Sequence, residues 1–158
     1  MTNWLHGSQE FVSIDQFPTD CIGFVYKVTN LENDKIYIGK KALQHTLTKK
    51  LTIKEKEAWN KPGKVPTKRK ESKESDWAKY YGSCKPLLED LKFYGPPSFT
   101  REILEFCFSK KSLSYYEVYY QMKYNVLSIN SYNENVLGKY FRKDVKQLVE
   151  NQSVITNW

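Results

Sequence analysis

Two β-rich runs separated by one short polar connection constrain this chain more than any other feature. Residues 22–29 read Ile-Gly-Phe-Val-Tyr-Lys-Val-Thr and residues 35–39 read Lys-Ile-Tyr-Ile-Gly. Neither has a helical period, and both are dense in β-branched and aromatic side chains. Asn30 to Lys35 between them is a cluster of turn formers, with Asn33-Asp34 as the corner. Two such runs predict an antiparallel hairpin. It brings Tyr26 and Tyr37 onto neighbouring strands.

The rest of the chain builds around that hairpin. The 158 residues suit one domain, or one with a short appendage. Hydrophobic content of 40%, with 15% aromatic, is enough for a packed core. Residues 1–20 read as an irregular N-terminal arm. Pro62, Gly63, Pro66 and many charges make 61–75 a long loop within a basic insert at about 40–75. A helical turn or two is expected in 40–56, weakened by Thr46, Thr48 and Thr52. Ser83 is the expected N-cap of a helix running to about Phe93, stopped by Gly95-Pro96-Pro97. Phe99 to Phe106 is the third strand. Ser112 opens a helix at about 113–124, with Leu113, Tyr116, Tyr120 and Tyr124 at helical spacing. Residues 143–158 are a tail, with a short helix expected at 143–151. The expected fold is α+β, a small three-stranded antiparallel sheet flanked by helices, spanning 21–142.

Charge narrows the partner. The net charge is +7, but Lys40 to Lys79 holds 13 Lys/Arg against 5 Asp/Glu. The remainder holds 12 against 13, so one quarter of the chain carries all the excess. Such concentration is the footprint expected for a polyanion such as nucleic acid. No run approaches the roughly 18–20 apolar residues of a membrane span, and no secretory signal opens the chain. Cys21, Cys84 and Cys107 are odd in number and far apart, so they are expected as reduced thiols. A cytoplasmic location follows as an expectation.

The hairpin, read as Gly23-Phe24-Val25-Tyr26 followed by Tyr37-Ile38-Gly39, resembles the signature of the GIY-YIG nucleases. The first half departs mildly, with Val25 before the tyrosine and two residues between Gly23 and Tyr26. Asp76-Trp77, Tyr80-Tyr81-Gly82-Ser83, Tyr94-Gly95 and Phe99 to Leu104 then resemble small stand-alone members of phage type, which would place the protein in a host-cell cytoplasm. The resemblance covers roughly residues 22–141.

The resemblance implies a DNA phosphodiester hydrolase that uses a divalent metal, usually magnesium, with manganese as a substitute. It implies a helix glutamate as metal ligand, and Glu117 is the one acid in the 113–124 helix. It implies catalytic tyrosines at Tyr26 and Tyr37, a structural Gly39, and an asparagine after the helix. Tyr132-Asn133 fits that asparagine, with Asn130 and Asn135 as neighbours and a plain turn role as the alternative. The family also has an arginine on the helix after the second strand, and 40–56 contains none. Either the insert returns Arg69 to the site, or Lys41, Lys49 or Lys50 serves as a point charge. Arg101, on a predicted strand, reads as structural. Lys40, Lys41, His45, Lys49, Lys50, Lys68 and Lys70 are the expected DNA-binding residues. The lysines after Gly39 are the groups that would lower a tyrosine pKa toward neutrality. With no zinc or helix-turn-helix pattern after Asn135, low sequence specificity is expected, or specificity from the arm, the insert or a homodimer.

Two other classes remain at this level. One is a nucleic-acid-binding module on the same fold with impaired catalysis, which the absent arginine favours. The other is a protein-interaction or inhibitor protein that uses its tyrosine-rich surface.

Overall fold

The structure, a computed structural model, describes residues 2–148. Its centre is the hairpin of β3 (Gly23–Asn30) and β4 (Ile36–Ala42), paired antiparallel with Tyr26 opposite Gly39. Asp34 takes a left-handed φ of 60° at the corner, and the Asn33 side chain accepts from Lys35 N at 3.0 Å. The turn residues identified in the sequence thus close the hairpin where expected. Strand β7 (Phe99–Cys107) covers the other edge of β3 antiparallel. A bulge between Val25 and Tyr26 shifts the register there, which bends β3 at the motif tyrosine.

The sheet has five strands rather than three, in the order β2 (Gln9–Phe11), β1 (Trp4–His6), β7, β3, β4. The N-terminal arm is not irregular. It folds into β1 (Trp4–His6) and β2 (Gln9–Phe11), and β1 runs parallel to β7 with Trp4 opposite Arg101. Trp4 is fully buried, and its indole N–H donates to Trp77 O at 2.7 Å. Burying a side chain of that size stabilises the docked arm by roughly 2–3 kcal/mol. Strands of three residues are too short to show any periodicity, so the sequence does not reveal them.

The basic insert is not one long loop: 58–67 is irregular as expected, but the segments on either side pair. Strands β5 (Gln44–Lys50) and β6 (Lys68–Glu74) form a separate antiparallel ribbon, with α1 (Ile53–Glu57) between them. Leu43 is buried at the ribbon's base, and its N–H donates to Ile22 O at 2.9 Å. Ser75 ties the returning strand, its hydroxyl donating to Ala42 O at 2.6 Å. The ribbon is therefore continuous with β4 and anchored on both strands.

Two helices flank the sheet. α2 (Lys85–Tyr94) begins after Cys84, not Ser83, with Pro86 in its first turn. α3 (Lys110–Lys123) starts earlier than expected. Ser109 is its N-cap and Ser112 completes the capping box, so Ser112 is the third residue of the helix rather than its opener. Leu113 and Gln121 face inward from α3. One core cluster joins Trp4, Phe24, Tyr26, Trp77, Leu87 and Phe99 on one face of the sheet. The other joins Val25, Ile38, Cys107, Leu113 and Val126 under α3.

After α3 the chain is irregular until a two-residue hairpin of β8 (Asn135–Val136) and β9 (Tyr140–Phe141). Of the helix expected at 143–151, residues 142–144 make a single 3-10 turn, 145–148 are not helical, and 149–151 lie outside the described residues. No helix among the described residues is long and apolar enough to cross a membrane.

Candidate active site

The site forms at β4, which is the edge of the main sheet. Tyr26 and Tyr37 belong to the core on one face, and α3 packs on the other. Glu117 lies one turn from both Leu113 and Gln121, at the margin of the buried face of α3. There its carboxylate meets the strand edge. Tyr37, Glu117, Gln121, Asn133 and Glu134 line one open cleft of about 460 Å³. The tyrosine and the glutamate that were distant in sequence therefore share a wall.

Gly39 makes the tyrosine arrangement possible. A Cβ at that position would stand 2.6 Å from Tyr26 Oη and 3.0 Å from Tyr37 Cε1. The Tyr26 phenol thus lies directly across its cross-strand partner, in space that only glycine leaves free. The Tyr26 and Tyr37 rings are 6.1 Å apart by centroid, and Tyr80 packs edge-on to Tyr26 at the same distance. Gly82, at φ +116°, lets the chain pass close to the Tyr37 ring. Gly39→Ala is expected to displace both phenols and lower any cleavage activity by about a hundredfold, since misplacement of about 1 Å has that effect. A plasmid-nicking assay within tenfold of wild type would contradict this.

Burial sets the protonation states. The Tyr26 phenol is pushed well above its ordinary value, chiefly by burial and then by the neighbouring Tyr37 and Tyr80 phenols and Glu117. Tyr37 is pushed up to about 12, again by burial first, with Cys84, Tyr80 and Glu117 adding to it. The lysines after Gly39 do not lower either phenol, contrary to the expectation from sequence. Both tyrosines are neutral hydrogen-bonding groups at neutral pH. The Glu117 carboxyl is also raised by burial, partly offset by Lys40.

Lys40 is the cation at Glu117. Its Nζ lies 3.7 Å from the carboxylate and donates to Ser114 Oγ at 2.9 Å. Lys41 points to the opposite face, where it pairs with Asp76 at 2.6 Å and sits 3.8 Å above the Tyr80 ring. Arg69 is not brought to the site. It lies on β6, where its guanidinium pairs with Glu55 at 2.9 Å and Glu71 at 3.1 Å. Lys49 is opposite it on β5 and pairs with Glu71 at 2.8 Å. His45, Lys50, Lys68 and Lys70 are exposed on the same ribbon.

Asn133 is buried and clamps the motif strand. It accepts from Ile38 N at 3.0 Å and donates to Ile38 O at 2.9 Å. This is a one-residue extension of the sheet past its edge strand. Gln121 adds a second donor to the same carbonyl at 3.2 Å. Arg142 in turn donates to the carbonyls of Leu127, Ile129, Ser131 and Asn133, and so holds the loop that carries the clamp. Neither Gln121 nor Arg142 was identified from sequence. Gln121 had a signal, being polar at an inward helical position. Arg142 had none, because its partners are backbone carbonyls.

Arg101 is structural. It is fully buried, stacks 4.6 Å from the Trp4 ring and 4.2 Å from the Tyr81 ring, and donates to Ala78 O, Tyr80 O and Thr2 O. Burial lowers its pKa to about 10.

The tyrosine hairpin with its glycine places the fold among GIY-YIG domains, in agreement with comparison of the whole chain. Residues 4–145 match the family model described as "Putative endonuclease segE, GIY-YIG domain", so the chain belongs to the GIY-YIG endonuclease family. The matched span runs from the first residue of β1 to just past the hairpin of β8 and β9. No curated protein and no solved structure matches the chain.

Proposed function

We propose that the protein is a divalent-metal-dependent endonuclease that hydrolyses DNA phosphodiester bonds with little sequence specificity. The observation that carries this reading is the half-buried Glu117 carboxylate at the β4 edge, in one cleft with Tyr37 and beside Lys40. A carboxylate removed from water in that way needs a cationic partner, and a half-exposed ammonium 3.7 Å away is a weak one.

The residues present fit a magnesium ion. Among the described residues no three His, Cys, Asp or Glu side chains gather to cage a metal. Magnesium is commonly held by one or two carboxylates, with waters and phosphate oxygens completing its shell. Glu117 would supply the first carboxylate, and Glu134 lines the same cleft. Bound there, the ion would supply charge neutralisation for the negative charge that develops on the phosphate.

The chain's own residues do the rest. Tyr37, kept neutral and lining the cleft, holds the attacking water or the phosphate by a hydrogen bond, while the proton the water loses ends on the leaving 3′-oxygen. Tyr26 is buried outside the cleft lining and positions the Tyr37 ring from the core. Lys40 takes the cationic role that the family gives to arginine, as a point charge on the phosphate. Asn133 locks the Ile38 peptide and so the direction of Tyr37 and Gly39.

The test is nicking of supercoiled plasmid in magnesium, manganese and EDTA. Cleavage in the metals and none in EDTA is expected. Salt-sensitive DNA binding without cleavage in either metal would instead make the chain a binding protein on this fold.

A pH dependence follows from Glu117. Only the ionised carboxylate binds a cation, and its pKa is raised above the ordinary glutamate value. Apparent magnesium affinity is therefore expected to weaken on mild acidification, before an ordinary exposed glutamate would protonate. In the metal-free protein the same shift stabilises the fold below the ordinary glutamate pKa, and that contribution is lost as pH rises through the raised value. Magnesium titrations at several pH values check this. An affinity that changes only in the range of an unperturbed carboxylate would contradict it.

A further inference from the structure

The ribbon of β5 and β6 has two unlike faces, because directly opposed residues of an antiparallel pair share a face. One face carries the pairs His45 with Lys73, Leu47 with Glu71, and Lys49 with Arg69. It is the internally bonded face. Glu55 of α1 pairs with Arg69, and Glu71 takes both Lys49 and Arg69. Leu47 and Glu71 are half-buried there.

The other face carries Thr46 with Ser72, Thr48 with Lys70, and Lys50 with Lys68. All six are exposed. Among the described residues no carboxylate lies within ion-pairing distance of Lys50, Lys68 or Lys70. The one acid on this face, Glu74, is at the base, where it accepts from the Trp77 indole at 2.8 Å. The insert thus ties Lys49 and Arg69 to carboxylates on one side, where, among the described residues, Lys73 alone is left unpaired. It leaves three lysines unpaired on the other, beside a row of short hydroxyl side chains.

We propose that this free face, Thr46-Thr48-Lys50 with Lys68-Lys70-Ser72, docks the protein in the major groove of duplex DNA. The inference rests on the reading of the protein as a DNA nuclease. The dimensions agree. Seven residues per strand at about 3.4 Å span roughly 24 Å, and two strands about 4.8 Å apart make a ribbon. The major groove, about 12 Å wide, admits a two-stranded ribbon, and the minor groove, about 6 Å wide, does not. The three lysines lie toward the far end of the ribbon and meet phosphates. The hydroxyls lie toward its base and face base edges. Serine and threonine contact any base, and the ribbon's one arginine is tied to Glu55 and Glu71. Such a surface positions strongly and discriminates weakly. Because β5 follows β4 after only Leu43, a docked ribbon fixes where the backbone crosses Tyr37 and Lys40.

The experiment measures binding of the full chain to a duplex of about 30 base pairs in EDTA, across a salt series. Lys50→Ala/Lys68→Ala/Lys70→Ala is compared with Lys54→Ala/Lys56→Ala/Lys64→Ala, which removes equal charge from the same insert but not from the free face. Circular dichroism verifies that both remain folded. The slope of log affinity against log salt is expected to fall by about 2–3 for the free-face variant and by less than about 1 for the control. Methyl green, a major-groove ligand, is expected to displace the wild-type protein, and distamycin, a minor-groove ligand, to leave it bound. Equal slopes for the two variants, or displacement by distamycin alone, would overturn the proposal. These arms need no cleavage. A wild type that binds through the free face but leaves plasmid intact sinks the nuclease reading only. A wild type that cleaves while the free-face variant binds as it does sinks the ribbon assignment only.

Discussion

Glu117→Gln is expected to reduce magnesium-dependent plasmid nicking by about a thousandfold while leaving the protein folded, in line with the loss of a preorganised electrostatic group at a reacting phosphate. The amide keeps the size of the side chain and its place beside Lys40. It removes only the charge. Because burial already raises the Glu117 pKa, the neutral isostere relieves a desolvation cost instead of adding one. The lost pair with Lys40 is partly exposed and 3.7 Å long, so it offers little to offset that. Thermal stability in EDTA should therefore be unchanged or slightly higher. In wild type, magnesium should raise stability with increasing concentration, and in the variant it should not. A variant that nicks within tenfold of wild type would remove Glu117 from the chemistry.

Arg101→Leu should have the largest effect on stability, about 3 kcal/mol or more. Leucine fills part of the space between Trp4 and Tyr81. It leaves the carbonyls of Thr2, Ala78 and Tyr80 without their donor. Each buried acceptor so orphaned costs about 1–3 kcal/mol. The consequence extends to the site, because the Ala78–Tyr80 segment sets Tyr80 against Tyr26. The N-terminal hairpin should loosen together with it, since Trp4 stacks on the same guanidinium. Denaturant unfolding followed by tryptophan fluorescence checks this. A loss below about 1 kcal/mol would mean that the guanidinium is not the keystone of that region.

The parts of the site that were legible in sequence lie on elements with strong local signals. β3 and β4 are apolar runs across a turn cluster, and α3 is a regular helical pattern, so Tyr26, Tyr37 and Glu117 could be set on a hairpin and a helix. Ser109 and Ser112 both satisfy the cap pattern of α3, so local sequence does not choose between them. The structure uses both in one capping box. Asn133 was singled out from family pattern, but its clamp on Ile38 bridges 95 positions of chain, and no local pattern encodes that.

The ribbon was illegible for a different reason. Its residues are lysine, glutamate, threonine and serine on both faces, so alternation carries no hydrophobic contrast. The excess of thirteen basic over five acidic residues between Lys40 and Lys79 reveals the charge but not its sidedness. Pairing did that, by setting Glu71 opposite Leu47 and Lys68 opposite Lys50.

The hairpin, its two tyrosines, the glycine between them and the class of protein they define were determined by the sequence itself, because short-range backbone preference and side-chain spacing suffice for them. Only the tertiary structure decided which cation stands at Glu117, that Arg69 is spent on the ribbon, and that the tyrosine phenols are neutral. Those depend on burial and on contacts between segments far apart in the chain. Electrostatics in a folded protein is set by distance and exclusion of water, and neither is a property of neighbouring letters.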